Sequence, residues 1–103
     1  MNLVKRLTPQ FSTKNKLAAA ETASNYAAAF GVTSAQDMSA DDNAEIYREL
    51  ARQGKLKTRI YDCIALSDWQ KLAKSNVKKA DGDALIRRGC LKGFADGDAD
   101  STA

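Results

Sequence analysis

The chain of 103 residues contains no histidine, so it can supply neither a histidine acid–base catalyst nor a histidine metal ligand. It also lacks any apolar run that approaches the length of a membrane span. Residues 1–11 are too polar for a secretory signal. These absences favour a cytoplasmic protein that has no membrane partner.

Cysteine is scarce, with only Cys63 and Cys90 in the chain, and both fall in predicted strands. A disulfide framework belongs to short secreted chains that have more cysteines. We therefore expect two buried free thiols. We also expect them to be inert, because no histidine is present to activate a thiolate.

Charge of either sign is modest, and the net charge of +3 comes from cations in small scattered groups. A nucleic-acid interface usually shows a basic stripe with interleaved aromatic residues, so nucleic-acid binding is not expected. Three of the 13 acidic residues, Asp96, Asp98 and Asp100, lie in the last eight positions, where residues 97–103 are predicted to form a frayed acidic tail.

The first unit with regular structure is a helix followed by a strand. Ser12 or Thr13 can cap a helix whose small and apolar positions recur at intervals of three or four residues up to Phe30. Gly31 stands where a glycine commonly ends a helix. Residues 32–38 then begin with β-forming side chains and are predicted to be a strand.

The same order of elements is repeated in the next part of the chain. Asp41 or Asp42 can open a second helix, and Gly54 can close it. Residues 58–66 form the clearest predicted strand. Residues 67–75 begin with serine and glutamine at capping-box spacing, which predicts a third helix.

A lysine-bearing strand is predicted after a polar loop at residues 76–82 and a last helical turn at residues 83–88. The stretch 89–97 places Lys92 among apolar and small residues and ends in an Asp-Gly turn. Burying an ammonium group in apolar surroundings costs several kcal/mol. A lysine kept in such a position often has a chemical role.

Strands separated by helices are typical of parallel βαβ units, so residues 1–103 are predicted to form a single α/β domain. About three parallel strands and three to four helices would make a thin sheet with exposed edges. The aromatic residues are expected to pack in the core; they are Tyr26, Tyr47, Trp69 and Phe94.

Several short motifs, in order and in register, resemble the middle of metal-dependent amidohydrolases of the amidohydrolase-3 type, within the amidohydrolase superfamily. The resemblance covers nearly the whole chain. The motifs are Gly31-Val32-Thr33-Ser34-Ala35-Gln36-Asp37-Met38, Ile46-Tyr47-Arg48-Glu49-Leu50, Gly54-Lys55-Leu56, Arg59-Ile60-Tyr61, Asp68-Trp69 and Lys92-Gly93-Phe94-Ala95-Asp96-Gly97.

The resemblance implies a section of a (β/α)₈ barrel, which oligomerisation could complete. It also implies a hydrolase in which one or two divalent metal ions, usually zinc, activate a water molecule that cleaves amide or formamide C–N bonds. Lys92 matches the lysine that is carboxylated and bridges the metals in many members. Asp37 and Asp96 would lie near the carboxyl ends of barrel strands, where they are weaker candidates for catalytic residues.

The sequence departs from the family in two ways. The family continues after Asp-Gly with Ser-Leu-Gly-Ser-Arg-Thr-Ala, whereas residues 98–103 here lack the arginine. The family's histidine ligands are absent too. We therefore expect no cofactor in this chain alone and no catalysis by it alone. The alternative is a self-assembling or partner-binding module that associates through its exposed strand edges or apolar face.

Overall fold

The computed structural model describes residues 12–75 and 81–95. Within these ranges, three helices and a four-stranded sheet form a small α/β domain. The helices are α1 (Thr13–Ala29), α2 (Ala44–Arg52) and α3 (Trp69–Lys74), the last preceded by a 3₁₀ turn at Leu66–Asp68; the strands are β1 (Ser34–Ala40), β2 (Arg59–Ala65), β3 (Asp81–Gly82) and β4 (Ile86–Lys92).

Local sequence signals fix both ends of α1 and the carboxyl end of α2. The side chain of Ser12 caps α1 by accepting a hydrogen bond of 3.1 Å from the backbone N–H of Asn15. Both helices then end at a glycine with positive φ, 78° at Gly31 and 70° at Gly54. Beyond Gly31, the N–H of Val32 bonds back to a carbonyl of the last helical turn, and the chain after Gly54 repeats this arrangement. The predicted start of α1 and the predicted carboxyl ends of α1 and α2 are confirmed, whereas α2 begins at Ala44, after Asn43, rather than at Asp41 or Asp42.

The sheet has the order β1-β2-β4-β3. Strands β1, β2 and β4 are parallel, and the short β3 is antiparallel to β4 at the other edge. Helix α2 lies in the connection from β1 to β2, and α3 lies in the connection from β2 to β4. The predicted α/β class with parallel strands is confirmed, and the partial barrel stays a prediction.

The helical turn predicted for residues 83–88 is wrong. The carboxylate of Asp83 accepts hydrogen bonds of 2.8 Å from the N–H groups of both Leu85 and Ile86, which closes a tight turn instead of starting a helix. Ile86 then begins β4 opposite Ile60 and is buried there. Tertiary burial of this isoleucine therefore overrides the weak local preference.

The hydrophobic core lies between the sheet and the first two helices. Leu50 of α2, Leu56 of the connector, Ile60 of β2 and Ile86 of β4 form its buried cluster. Partly buried neighbours pack against this cluster; they are Leu17, Ala20, Tyr47 and Ala51. Burying these aliphatic side chains joins α1 and α2 to one face of the sheet.

The expectation that the aromatic residues pack in the core is wrong for three of the four. Tyr26 is 68% exposed, Trp69 53% and Phe94 57%, whereas Tyr47 is half-buried. The core is filled by aliphatic side chains, so the larger rings remain outside it. On α1, Tyr26 instead packs against the ring of Phe30 one turn later, with 4.9 Å between the ring centroids.

The two faces of the sheet have different surroundings. On the helix face, defined by Asp37, Ile60 and Asp62, side chains lie beneath α1 and α2. On the open face, side chains remain exposed or half-buried, apart from Cys63; the residues are Met38, Tyr61, Cys63, Cys90 and Lys92. Successive side chains of a strand point to opposite faces of the sheet, which separates the residues of the helix face from those of the open face.

No helix within the two described ranges is both long and apolar enough to cross a bilayer. The acidic tail predicted for residues 97–103 lies outside the described residues.

Candidate functional site

Two aspartates meet on the helix face because β1 and β2 are parallel and in register. Asp37 of β1 is the register partner of Asp62 of β2. Neighbouring residues in register point to the same side of a sheet. The register therefore brings two carboxylates into the space beneath α2.

Asp37 is held by several hydrogen bonds. Its Oδ1 accepts from the N–H of Ser39 at 2.9 Å and from the hydroxyl of the same residue at 2.6 Å. Its Oδ2 accepts from the hydroxyl of Tyr47 at 2.6 Å and from the side-chain amide of Asn43 at 3.2 Å. Burial opposes ionisation, but these hydrogen bonds outweigh it and lower the pKa of Asp37 below 3.8. Asp37 is therefore a fixed anion at neutral pH.

Tyr47 is held as a neutral hydrogen-bond donor. Burial, together with its hydrogen bond to Asp37 and the charge of that carboxylate, raises the pKa of Tyr47 well above its ordinary value of 10.0. Its position on α2, one turn before Leu50, explains how the phenol reaches the strand while the helix packs on the core. The contact ties α2 to β1.

Asp62 has the opposite environment. Its side chain is fully buried, and within the part of the chain that the structure describes neither carboxylate oxygen has a partner in good hydrogen-bond geometry. The backbone N–H of Asn43 approaches closely enough to lower the pKa of Asp62, but by less than burial raises it. The nearest cationic atom is Nε of Arg88, 3.8 Å from Oδ2. Burial and the charge of Asp37 raise the pKa of Asp62 from 3.8 to about 6. Asp62 is therefore the group in this cluster that titrates closest to neutral pH.

Arg88 connects the buried pair to the surface. Its guanidinium also forms an ion pair with Asp42, whose other oxygen lies 3.7 Å from Nζ of Lys71. In β4, the register shifts after Arg88, and Gly89 with φ 146° is the extra residue. Such a bulge re-aims the side chains around it, so Arg88 stays on the helix face while Cys90 turns to the open face.

A cleft of about 370 Å³ opens between α1 and β1 next to this cluster. Asp37, Ser39 and Tyr47 line its polar side, and the small alanines of α1 line the other. In enzymes, protons are often transferred by two carboxyl groups whose pKa values are shifted in opposite directions. Asp37 and Asp62 form such a pair, and Tyr47 lies beside them. The same arrangement also occurs in structural polar networks.

Lys92 lies apart from these aspartates. It is the last residue of β4, opposite Ala65, and therefore belongs to the open face. Its ammonium lies 4.9 Å from the ring centroid of Phe94, a cation–π contact. The structure thus separates Lys92 from Asp37 by the thickness of the sheet. Asp96, the third predicted site residue, lies outside the described residues.

The metal implied by the family resemblance does not fit the residues described. Among residues 12–75 and 81–95, no three histidine, cysteine, aspartate or glutamate side chains come together as a metal site. A catalytic zinc ion needs three protein ligands and one open position. Lys92 has an aromatic ring rather than carboxylates beside it, so we derive no metal-dependent step from these residues.

The expectation of two free thiols is wrong, because Cys63 and Cys90 form a disulfide. They are register partners on β2 and β4, with their Cα atoms 4.7 Å apart, which is within the range that disulfides span. The two residues are 27 positions apart in the sequence. Only the pairing of the strands and the bulge at Gly89 make them neighbours.

Sequence reasoning also missed Asp62 as a site residue. A carboxylate between apolar strand residues was the available signal, since Ile60 and Ile64 flank it at alternate positions. The cost of burying a charged group applies to Asp62 as it does to Lys92. Burial cost alone does not identify Arg88 as the partner of Asp62, because the sequence predicts a helical turn for residues 83–88 rather than a strand beside Asp62.

The fold and the site define a small α/β domain with a buried carboxylate cluster. A search of family models, curated proteins and solved structures finds no match to this chain.

Proposed function

We propose that this chain is a section of a metal-dependent hydrolase of the amidohydrolase type, a class that cleaves amide or formamide C–N bonds, and that it has no turnover by itself. The single observation that carries the proposal is the position of Lys92. It lies at the carboxyl end of the third parallel strand and on the open face of the sheet.

The arrangement of layers supports this proposal. In (β/α)₈ barrels the helices lie outside, and the chemistry gathers inside at the carboxyl ends of the strands. Here α1 and α2 cover one face. The parallel strands β1, β2 and β4 lie side by side in the order in which they occur along the chain, and the short antiparallel β3 lies at the edge beyond β4. The open face corresponds to a barrel interior, and Lys92 then has the place of an active-site lysine.

The expected lack of turnover rests on the ligand set. The whole sequence contains no histidine, and zinc hydrolases take most of their ligands from histidine and carboxylate groups. Divalent metal and further ligands would have to come from outside this chain. In the cytoplasmic setting that we propose for it, the thiols of Cys63 and Cys90 would be kept reduced.

A chimera tests the proposal. Residues 31–97 would replace the matching segment of an intact amidohydrolase of this type, and zinc-dependent hydrolysis of N-formyl and N-acyl substrates would be measured. We expect activity in the chimera and its loss with Lys92→Ala, while Lys71→Ala, an exposed lysine of α3, leaves the activity unchanged. Equal activity with and without Lys92 would contradict the proposal. Turnover by the isolated chain would contradict its inactivity.

A second candidate function is self-association through the edge of the sheet. Among the described strands, β1 forms one edge, and Ser34, Ala35 and Gln36 along it are exposed. An exposed edge can pair with a strand of a second copy. Light scattering at rising protein concentration should then show a dimer, and Gln36→Lys should shift it to monomer. A clean monomer at the highest concentration would rule out this candidate.

A further inference from the structure

Three sulfur atoms from three neighbouring strands meet on the open face. Met38 of β1 places its Sδ 3.3 Å from Sγ of Cys63 on β2, and Cys63 is joined to Cys90 on β4. Since Cys63 is already bonded to Cys90, the contact with Met38 is a sulfur–sulfur packing contact. The described residues thus bring one thioether and two cysteine sulfurs into a single cluster.

We propose that this cluster, when its disulfide is reduced, is a binding site for one copper(I) ion, with Met38, Cys63 and Cys90 as a three-sulfur ligand set. Thiolate and thioether sulfurs are soft ligands, and they select copper(I) over harder cations. Zinc prefers four ligands and takes thiolate, imidazole or carboxylate groups rather than a thioether. The ligand types therefore decide the metal.

The position of the three residues supports binding rather than chance packing. Cys63 is 1% exposed, whereas Met38 is 42% exposed, so the thioether lies where an ion can arrive and the thiol lies beneath it. Two thiolates and one copper(I) ion leave a net charge of −1. Lys92 follows Cys90 by two residues on the same face and carries the opposite charge.

The oxidation state of the cysteines controls access to the site. Two equivalents of a low-molecular-weight thiol, RSH, reduce the Cys63–Cys90 disulfide to two thiols and release RSSR. Binding of copper(I) then displaces the two thiol protons to the solvent and forms two copper–thiolate bonds. In the oxidised chain the cysteine sulfurs are bonded to each other and cannot act as thiolate ligands.

Anaerobic titration against a chromogenic copper(I) chelator tests this inference. The reduced chain should withdraw one copper(I) per molecule, and the oxidised chain should withdraw none. Cys90→Ser should abolish this competition. Met38→Leu keeps the side-chain volume but removes a ligand sulfur. It should weaken the affinity by at least the roughly 10–100-fold that loss of an outer-shell partner of a ligand costs at metal sites.

Three further results would overturn the inference. The first is copper binding of equal strength in the wild-type and Met38→Leu chains. That result would mean that the two thiols bind copper(I) without the thioether. An unfolded reduced chain would bind copper(I) in the same way. Circular dichroism of the reduced chain would identify that case. The second is zinc binding as tight as copper binding, and the third is uptake of copper(I) by the oxidised chain.

Discussion

The hydroxyl of Tyr47 donates a 2.6 Å hydrogen bond to Oδ2 of Asp37, and this contact joins α2 to β1 beside the buried Asp62. Hydrogen bonds to charged groups contribute more to stability than neutral ones, typically about 1.5–3 kcal/mol. Because Asp37 keeps its donors from Ser39 and Asn43, removing one hydroxyl leaves it only partly unsatisfied.

Tyr47→Phe should therefore lower the free energy of unfolding by about 1–2 kcal/mol, measured by urea denaturation at pH 7. Tyr26→Phe is the matched control, because Tyr26 is 68% exposed, and its change should be close to zero. Equal effects of the two substitutions would show that the contact with Asp37 does not stabilise the fold.

Asp62 should make the stability depend on pH. Its pKa is raised in the folded chain, from 3.8 to about 6, so the native state binds this proton more tightly than the unfolded state. Stability from this group is therefore fully present below pH 3.8 and is lost as the pH rises towards about 6. The loss is of the order of 3 kcal/mol, since one pKa unit corresponds to about 1.4 kcal/mol.

Asp62→Asn should remove this decline. Between pH 4 and pH 7, a window set by the pKa of about 6, the unfolding free energy of the variant should therefore not fall as that of the wild type does. Asp68→Asn, at an exposed position, should leave the wild-type profile in place. Asp37 acts in the opposite direction, because its pKa is lowered and its stabilising effect is lost only in stronger acid. If the Asp62→Asn variant shows the same decline in stability as the wild type, the decline comes from another titrating group.

The disulfide should stabilise the oxidised chain. It closes a loop between residues 27 positions apart, which in the chain-entropy account corresponds to roughly 3–4 kcal/mol. Thermal unfolding with and without dithiothreitol should show a higher midpoint for the oxidised wild type. The Cys63→Ser, Cys90→Ser double variant should melt at the same temperature in both buffers. A wild-type midpoint that ignores the reductant would mean that the cross-link contributes nothing to stability.

Ser24 should connect α1 to the start of β2. It is buried, and its hydroxyl accepts a 2.7 Å hydrogen bond from the N–H of Lys57, while its carbonyl accepts one from Thr58. Ser24→Ala leaves that N–H without its partner and should cost about 1–3 kcal/mol in urea denaturation. Thr22→Ala, two residues earlier on the exposed side of α1, is the control and should cost much less. Similar losses of unfolding free energy in the two variants would mean that the hydrogen bond from Lys57 to Ser24 does not stabilise the fold.

Local signals in the sequence predicted the helices and the first two strands well. Ser12, Gly31 and Gly54 act within a few residues of their own position, so both ends of α1 and the carboxyl end of α2 follow from capping alone. Residues 83–88 were predicted incorrectly because burial of Ile86 against Ile60, far away in the sequence, decides their conformation. A single sequence carries no direct sign of that contact.

The site was predicted only in part, for a similar reason. Asp37 and Lys92 were identified from the sequence, and the structure places them on opposite faces of the sheet. The roles of Tyr47 and Asp62 depend on which strand lies next to which, and on the helix above them. Register is a property of paired strands, and a shift of one residue would move each side chain to the other face.

The sequence by itself determined the α/β class, both ends of α1, the carboxyl end of α2 and the absence of histidine chemistry, because composition and short-range capping act without distant contacts. Tertiary structure alone decided that Cys63 meets Cys90, that Met38 lies beside them, and that Asp62 is buried next to Asp37. Each of these contacts needs the parallel register of β1, β2 and β4 and the bulge at Gly89. Those features are set by packing across the whole sheet rather than by any neighbouring residue.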